Sequence, residues 1–153
     1  LLLNIGPKAD GTIPEPEREM MLEIGRWLHE NGEAIYGTRP WRVFGEGPTE
    51  IPEGAFTDTS RDKFTGKDIR YTTKGQTLYA IVLGHPEEGR VVFREVGRAD
   101  GYNIATRLSG ERLPAKVSEE GLIVQLPEDD PYDGYPIVIR LNKGRQNDRD
   151  TEE

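Results

Sequence analysis

Apolar positions follow two different rhythms along this chain. In residues 1–38 they form a short run, Leu1 to Ile5, which predicts a strand meeting Gly6-Pro7, and then a longer stripe. Met20, Ile24, Trp27 and Leu28, widened by Met21 and Gly25, recur at the three- and four-residue spacing of a helix lying on a core. Asp10-Gly11 predicts a turn between strand and helix. Thr12-Ile13-Pro14-Glu15 fits a capping box, with Thr12 as the cap and Glu15 returning to its amide. Glu15, Glu17 and Glu19 suit the positive end of the helix dipole and His29 the negative end. The stripe predicts a helix to about Asn31, with Gly32 as a left-handed cap.

From about Arg39 to Gly144 the rhythm shortens. Ile69 to Thr73 alternates, with Ile69 and Tyr71 assigned to the inner face. Leu78 to Leu83 is apolar on both faces and predicts a central strand. Arg90 to Val96, Tyr102 to Leu108, Leu122 to Leu126 and Ile137 to Leu141 predict four more. Lys74-Gly75, His85 to Gly89, Ser109-Gly110, Glu120-Gly121 and Asp133-Gly134 supply the turns. Six or more short strands at this spacing predict a mainly β fold, an antiparallel β-sandwich over residues 39–144. Gly45 to Gly66, rich in Gly, Pro and Asp, predicts a long loop across a domain boundary. Residues 145–153 contain no apolar side chain and predict a disordered tail.

A buried strand, a loop and a covering helix make one βα unit of a parallel-sheet protein, and one such unit cannot close a sheet alone. Residues 1–38 are therefore expected to be the end of a larger (β/α)8-like barrel, with Leu1-Leu2-Leu3 exposed by truncation. Composition narrows the partners. The net charge is −8 with a pI near 4.9, which argues against nucleic acid and anionic membranes. No apolar run approaches the roughly 20 residues of a membrane helix. Cysteine is absent, which excludes disulfides, thiolate metal sites and a cysteine nucleophile.

Leu2-Leu3-Asn4-Ile5-Gly6-Pro7 followed by Ala9-Asp10-Gly11-Thr12-Ile13-Pro14 resembles the last barrel strand and loop of family twenty-nine glycoside hydrolases, the α-L-fucosidases. Ile24-Gly25-Arg26-Trp27-Leu28 and Asn31-Gly32-Glu33-Ala34-Ile35-Tyr36-Gly37-Thr38-Arg39-Pro40-Trp41 are similar to that family's final barrel helix and exit. Asp68 to Lys74 and Leu78-Tyr79-Ala80-Ile81 resemble the start of its C-terminal sandwich. The resemblance implies a retaining hydrolase of terminal L-fucose, with an aspartate nucleophile and a separate acid/base about 5 to 5.5 Å apart. No copy of the nucleophile's motif is present, so no catalytic residue is assigned here. The implied role is structural support for an upstream catalytic barrel, with fucosylated glycans reached through the parent enzyme. The implied location is extracellular or periplasmic, or lysosomal in a eukaryote. No targeting signal stands in these residues.

Individual residues offer sharper readings. Asn4, near the end of the expected barrel strand, could support the sugar pocket from behind. Its default role is backbone hydrogen bonding. Asp10 faces the active-site side of a barrel by position, but a turn accounts for it. Trp27 belongs to the helix stripe, and Trp41 is expected to fill the seam between barrel and sandwich. Tyr132 and Tyr135 flank an acidic loop in the manner of sugar-binding modules, against a structural reading. Glu128, Asp129, Asp130 and Asp133 could hold calcium, against a solvated turn. His29 and His85 lack zinc-site spacing, and no metal or cofactor is called for. The competing reading makes the sandwich a carbohydrate-binding module, which a surface row of aromatics on one face would favour.

Overall fold

The computed structural model describes residues 4–53, 62–128, 130 and 133–144. One helix, α1 (Glu15–Asn31), is followed by a short 3₁₀ turn at Gly32–Ala34. Nine strands then follow: β1 (Arg39–Glu46), β2 (Ile69–Lys74), β3 (Thr77–Val82), β4 (Arg90–Phe93), β5 (Tyr102–Thr106), β6 (Arg112–Leu113), β7 (Ala115–Ser118), β8 (Gly121–Gln125) and β9 (Ile137–Lys143). They form two antiparallel sheets. One has the order β1-β2-β3-β9-β5-β6, and the other β4-β8-β7. The predicted sandwich is the observed architecture.

Alternation explains the layers. Ile69 and Tyr71 on β2, Leu78, Ala80 and Val82 on β3, and Ile139 and Leu141 on β9 face inward. They meet Val91 and Phe93 of β4 and Leu122 and Val124 of β8 from the other sheet. Fully burying each such aliphatic or phenyl side chain contributes about 1.5–3 kcal/mol. β3 is central, as its apolar character on both faces requires. Its alternate residues Tyr79 and Ile81, with Val138 of β9, form a second cluster on the outer face together with Ala34. Partly buried Trp27 packs against that cluster, so α1 lies on the outside of the larger sheet.

β1 is the sheet's edge, and it was read from the sequence only as part of the β region. Pro40 in its first half has no N–H for a ladder, and the register breaks between Pro40 and Gly45. Both features confine the strand to an edge position. The hairpins follow the turn signals. Lys74 pairs Thr77 across Gly75-Gln76, with Gly75 at φ 60°. Ser118 pairs Gly121 across Glu119-Glu120.

Several expectations for the first segment are corrected. Of the strand expected over Leu1 to Ile5, residues 1–3 lie outside the described residues, and Asn4 and Ile5 belong to no strand. The capping box does not form. Thr12 instead donates its backbone N–H and hydroxyl to Asp10, at 3.0 and 2.7 Å, and the cap position falls on Pro14. Glu15 is left to pair with Arg18 at 3.0 Å. Gly32 is right-handed, at φ −60°, and the left-handed residue is Gly37 at φ 69°. A Cβ on Gly32 would meet only the exposed Tyr36 ring. The predicted tail, 145–153, lies outside the described residues.

Candidate functional site

The stripe on α1 splits between two environments. Ile24, Trp27 and Leu28 are half-buried, with Trp27 packed on the sandwich, whereas Met20 at the start of that stripe and Met21 and Leu22 turning away from it are 52%, 38% and 47% exposed. An amphipathic helix normally buries its apolar face once. This one presents a second apolar surface with nothing covering it among the described residues.

Contacts at successive levels fasten the inner face of α1 to the approach of β9. The Glu23 carboxylate lies beside the Tyr135 phenol and raises its pKa. The Trp27 indole donates to the Pro136 carbonyl at 2.9 Å. At the exit of the helix, Arg140 grips both carboxylate oxygens of Glu33 at 2.8 Å, and the Tyr79 hydroxyl donates to Glu33 at 2.6 Å. The Thr72 hydroxyl completes the joint by donating to the Ala34 carbonyl at 2.6 Å. Tyr79's hydrogen bond, and then Arg140, hold the Glu33 carboxyl below its usual range against the opposing effect of burial. Burial, then Glu33's bond and charge, push the Tyr79 phenol up to about 12. Both contacts of Arg140 with Glu33 come from its one Nη2, which sits between the two carboxylate oxygens.

A second polar knot closes the neck of the long loop. Asp68 is 1% exposed and accepts four hydrogen bonds. Two come from Thr49, at 3.0 Å from its amide and 2.8 Å from its hydroxyl, and two from Thr65, at 2.8 and 2.9 Å. Burial raises the Asp68 pKa, but these bonds outweigh it and hold the carboxyl below its usual value. The loop expected to cross a domain boundary is thus pinned at both ends by one carboxylate. Residues 54–61 lie outside the described residues. Glu46 accepts from the Tyr71 hydroxyl of the neighbouring β2, and it ties β1 to the other sheet by accepting from the amides of Arg94 and Glu95 just beyond β4. Beside this neck a cleft of about 690 Å³ opens between Gly47–Pro48, Thr65–Lys67, His85–Glu88 and the β4 end.

The structure places the sequence candidates as follows. Asn4 is exposed in irregular chain. Asp10 and Gly11 form the expected turn, with the Gly11 amide donating to the Lys8 carbonyl at 2.9 Å. Trp41 was expected between two domains, but it packs edge-on against Tyr71 and Tyr102 within the sandwich core, at 5.1 and 6.5 Å. The Arg42 guanidinium covers it at 4.5 Å. Tyr135 is engaged with the helix, and Tyr132 lies outside the described residues. Elsewhere among the described residues the exposed aromatic side chains are Tyr36 and Phe44, on separate elements. Asp130 accepts an ion pair from Arg107, Asp133 caps its own turn through the Tyr135 amide at 3.0 Å, and Asp129 lies outside the described residues. Among the described residues, no group of three His, Cys, Asp or Glu side chains is arranged to hold a metal. The joint at Glu33, Tyr79 and Arg140 and the neck at Asp68 escaped sequence reading, because each joins residues remote in the chain.

The sandwich thus clamps one side of α1 through Trp27, while Met21 and Leu22 stay exposed among the described residues. Residues 1–33 match the family model described as Alpha-L-fucosidase. Over 130 residues, 83% of this chain and 25% of the relative, the sequence is 37% identical to an alpha-L-fucosidase of Branchiostoma floridae. Against the human tissue alpha-L-fucosidase it is 34% identical over 131 residues, 85% of this chain and 24% of the relative. A crystal structure of Thermotoga maritima alpha-fucosidase in complex with a mechanism based inhibitor superposes with TM-score 0.68 at 30% identity. That match covers 94% of this chain and 30% of the other. The chain belongs to the α-L-fucosidase family, and it spans about a quarter of the length of the curated relatives it matches.

Proposed function

We propose that this chain is the C-terminal portion of a retaining α-L-fucosidase that removes terminal L-fucose from glycans, and that it serves as structural support for the catalytic barrel. The observation that carries the reading is the two-faced helix. The family match over residues 1–33 contains α1, and that helix is fastened to the sandwich on one side and bare on the other. Met21 and Leu22 are then part of the surface on which the remaining barrel packs. The sandwich holds that surface in place through Trp27 and Glu33. None of its carboxylates is assigned nucleophile or acid/base, and a retaining mechanism needs both at close range. The relatives' names support action on fucosylated substrates. An extracellular or periplasmic setting, or a lysosomal one in a eukaryote, fits the same reading.

The test is enzymatic. The purified chain should release no aryl alcohol from an aryl α-L-fucoside, while a longer protein containing this chain and a complete barrel should. Turnover by the chain alone would overturn the support role.

A further inference from the structure

We propose that the cleft beside the loop neck is an ancillary binding site for a neutral oligosaccharide. The cleft of about 690 Å³ adjoins a second cavity of about 340 Å³, and the two share His85, Pro86 and Glu88 in their walls. Each has the volume of a small-molecule site.

The wall charges divide into committed and uncommitted groups. Arg90 pairs with Glu120 at 3.6 Å, Glu95 pairs with Arg42 at 3.7 Å, and Glu46 is occupied by Tyr71 and two amides. Lys67, Arg94, Glu87 and Glu88 also line the cleft, and their side chains make no ion pair among the described residues. The groups outside ion pairs are thus two cations and two anions, a mixed set without a dominant sign. Separated donors and acceptors of this kind suit hydroxyls, which both give and accept hydrogen bonds. Val92, Pro48 and Pro86 supply aliphatic surface for the C–H face of a sugar ring.

The backbone provides an independent observation. Glu88 is the non-glycine residue with positive φ among the described residues, at φ 54° and ψ 23°. It is held there by Gln125, whose side-chain amide donates to the Glu88 carbonyl at 2.9 Å. Strain retained by a charged residue shared between two cavities points to a use for that side chain. The described lining holds no Phe, Tyr or Trp ring, so affinity in the millimolar range is expected.

This site lies outside the support role and stands or falls separately. The probe is fucosyllactose added to the 153-residue chain, followed by backbone amide NMR shifts, with a sulfated chondroitin disaccharide as the charged comparison. Saturable shifts are expected at Lys67, Glu87 to Gly89 and Arg94, with no binding of the charged disaccharide. Glu88→Gly removes the carboxylate yet suits the left-handed backbone, so it should keep the fold and weaken binding about tenfold. A tenfold change in affinity corresponds to about 1.4 kcal/mol. Lys67→Gln should weaken binding in the same direction. Absence of saturable shifts, shifts clustered elsewhere, undiminished binding by both variants, or preference for the sulfated probe would each overturn the proposal. None of these outcomes bears on whether the longer protein hydrolyses fucosides.

Discussion

Asp68 shows how a single buried charge can organise a long excursion of the chain. Its four hydrogen bonds come from residues on both sides of the loop, so its loss unfastens both ends. Asp68→Asn keeps the size but turns an amide NH₂ toward donors. Bonds to a charged group contribute about 1.5–3 kcal/mol, and a loss of that size is expected in urea unfolding. Because the folded pKa is depressed below the ordinary 3.8, the wild-type advantage is present above that pH and fades as pH falls through the folded value. The variant should lack that acid-side dependence. Two glycines test steric reading at the same scale. A Cβ on Gly121, at φ 124°, would overlap the Phe93 carbonyl and the Arg94 backbone. Gly121→Ala should therefore cost about 2–4 kcal/mol. A Cβ on Gly32 meets only the Tyr36 ring, which is 60% exposed and free to swing aside. Gly32→Ala should stay within about 0.5 kcal/mol. Thermal melts of the pair separate a backbone clash from a yielding side chain.

The joint between α1 and the larger sheet makes its own predictions. Glu33→Gln and Tyr79→Phe should speed hydrogen exchange of the α1 amides while leaving β3 and β8 protected, since local opening need not follow global unfolding. Equal acceleration everywhere would mean that the joint is part of the core. Its pH window has two edges. Glu33 is depressed below its ordinary 4.5, so its contribution is present above that value and lost as pH falls further. Tyr79 is raised from 10.0 to about 12, so its contribution is complete below 10.0 and lost as pH climbs through about 12. Relative to the intrinsic exchange rate at each pH, protection of the α1 amides should fall at both extremes. Strands β2, β3, β4, β5, β8 and β9 were legible because their apolar alternation is dense and Gly or Pro bounds them. β1 was hidden by Pro40, Gly45 and its arginines, β6 by having two residues, and β7 by its lysine and serine. The capping box failed for a local reason: Asp10 captured Thr12 before the helix began.

For the molecule as a whole, the bare face of α1 separates what this chain needs from what its longer relatives need. Leu22→Glu should barely change the melting of the 153-residue chain, because Leu22 is 47% exposed there. In a protein carrying the complete barrel the same change would bury an unpaired charge, and a loss of several kcal/mol is expected. Equal effects in both would remove the case for a barrel on that face. The family resemblance was legible through the run from Leu2 to Trp41. The cleft was not, because its walls converge from residues near 47, 66, 86 and 94. The edge of the larger sheet also bears on how this protein behaves among its own copies. An unpaired strand edge invites a neighbour to add to the ladder, the step from which fibrils grow. Pro40 withholds one of the N–H groups such a neighbour would need, and the break in register before Gly45 interrupts the straight line along which it would lie. With eight net negative charges on every molecule, concentrated solutions should remain clear instead of seeding amyloid from that edge.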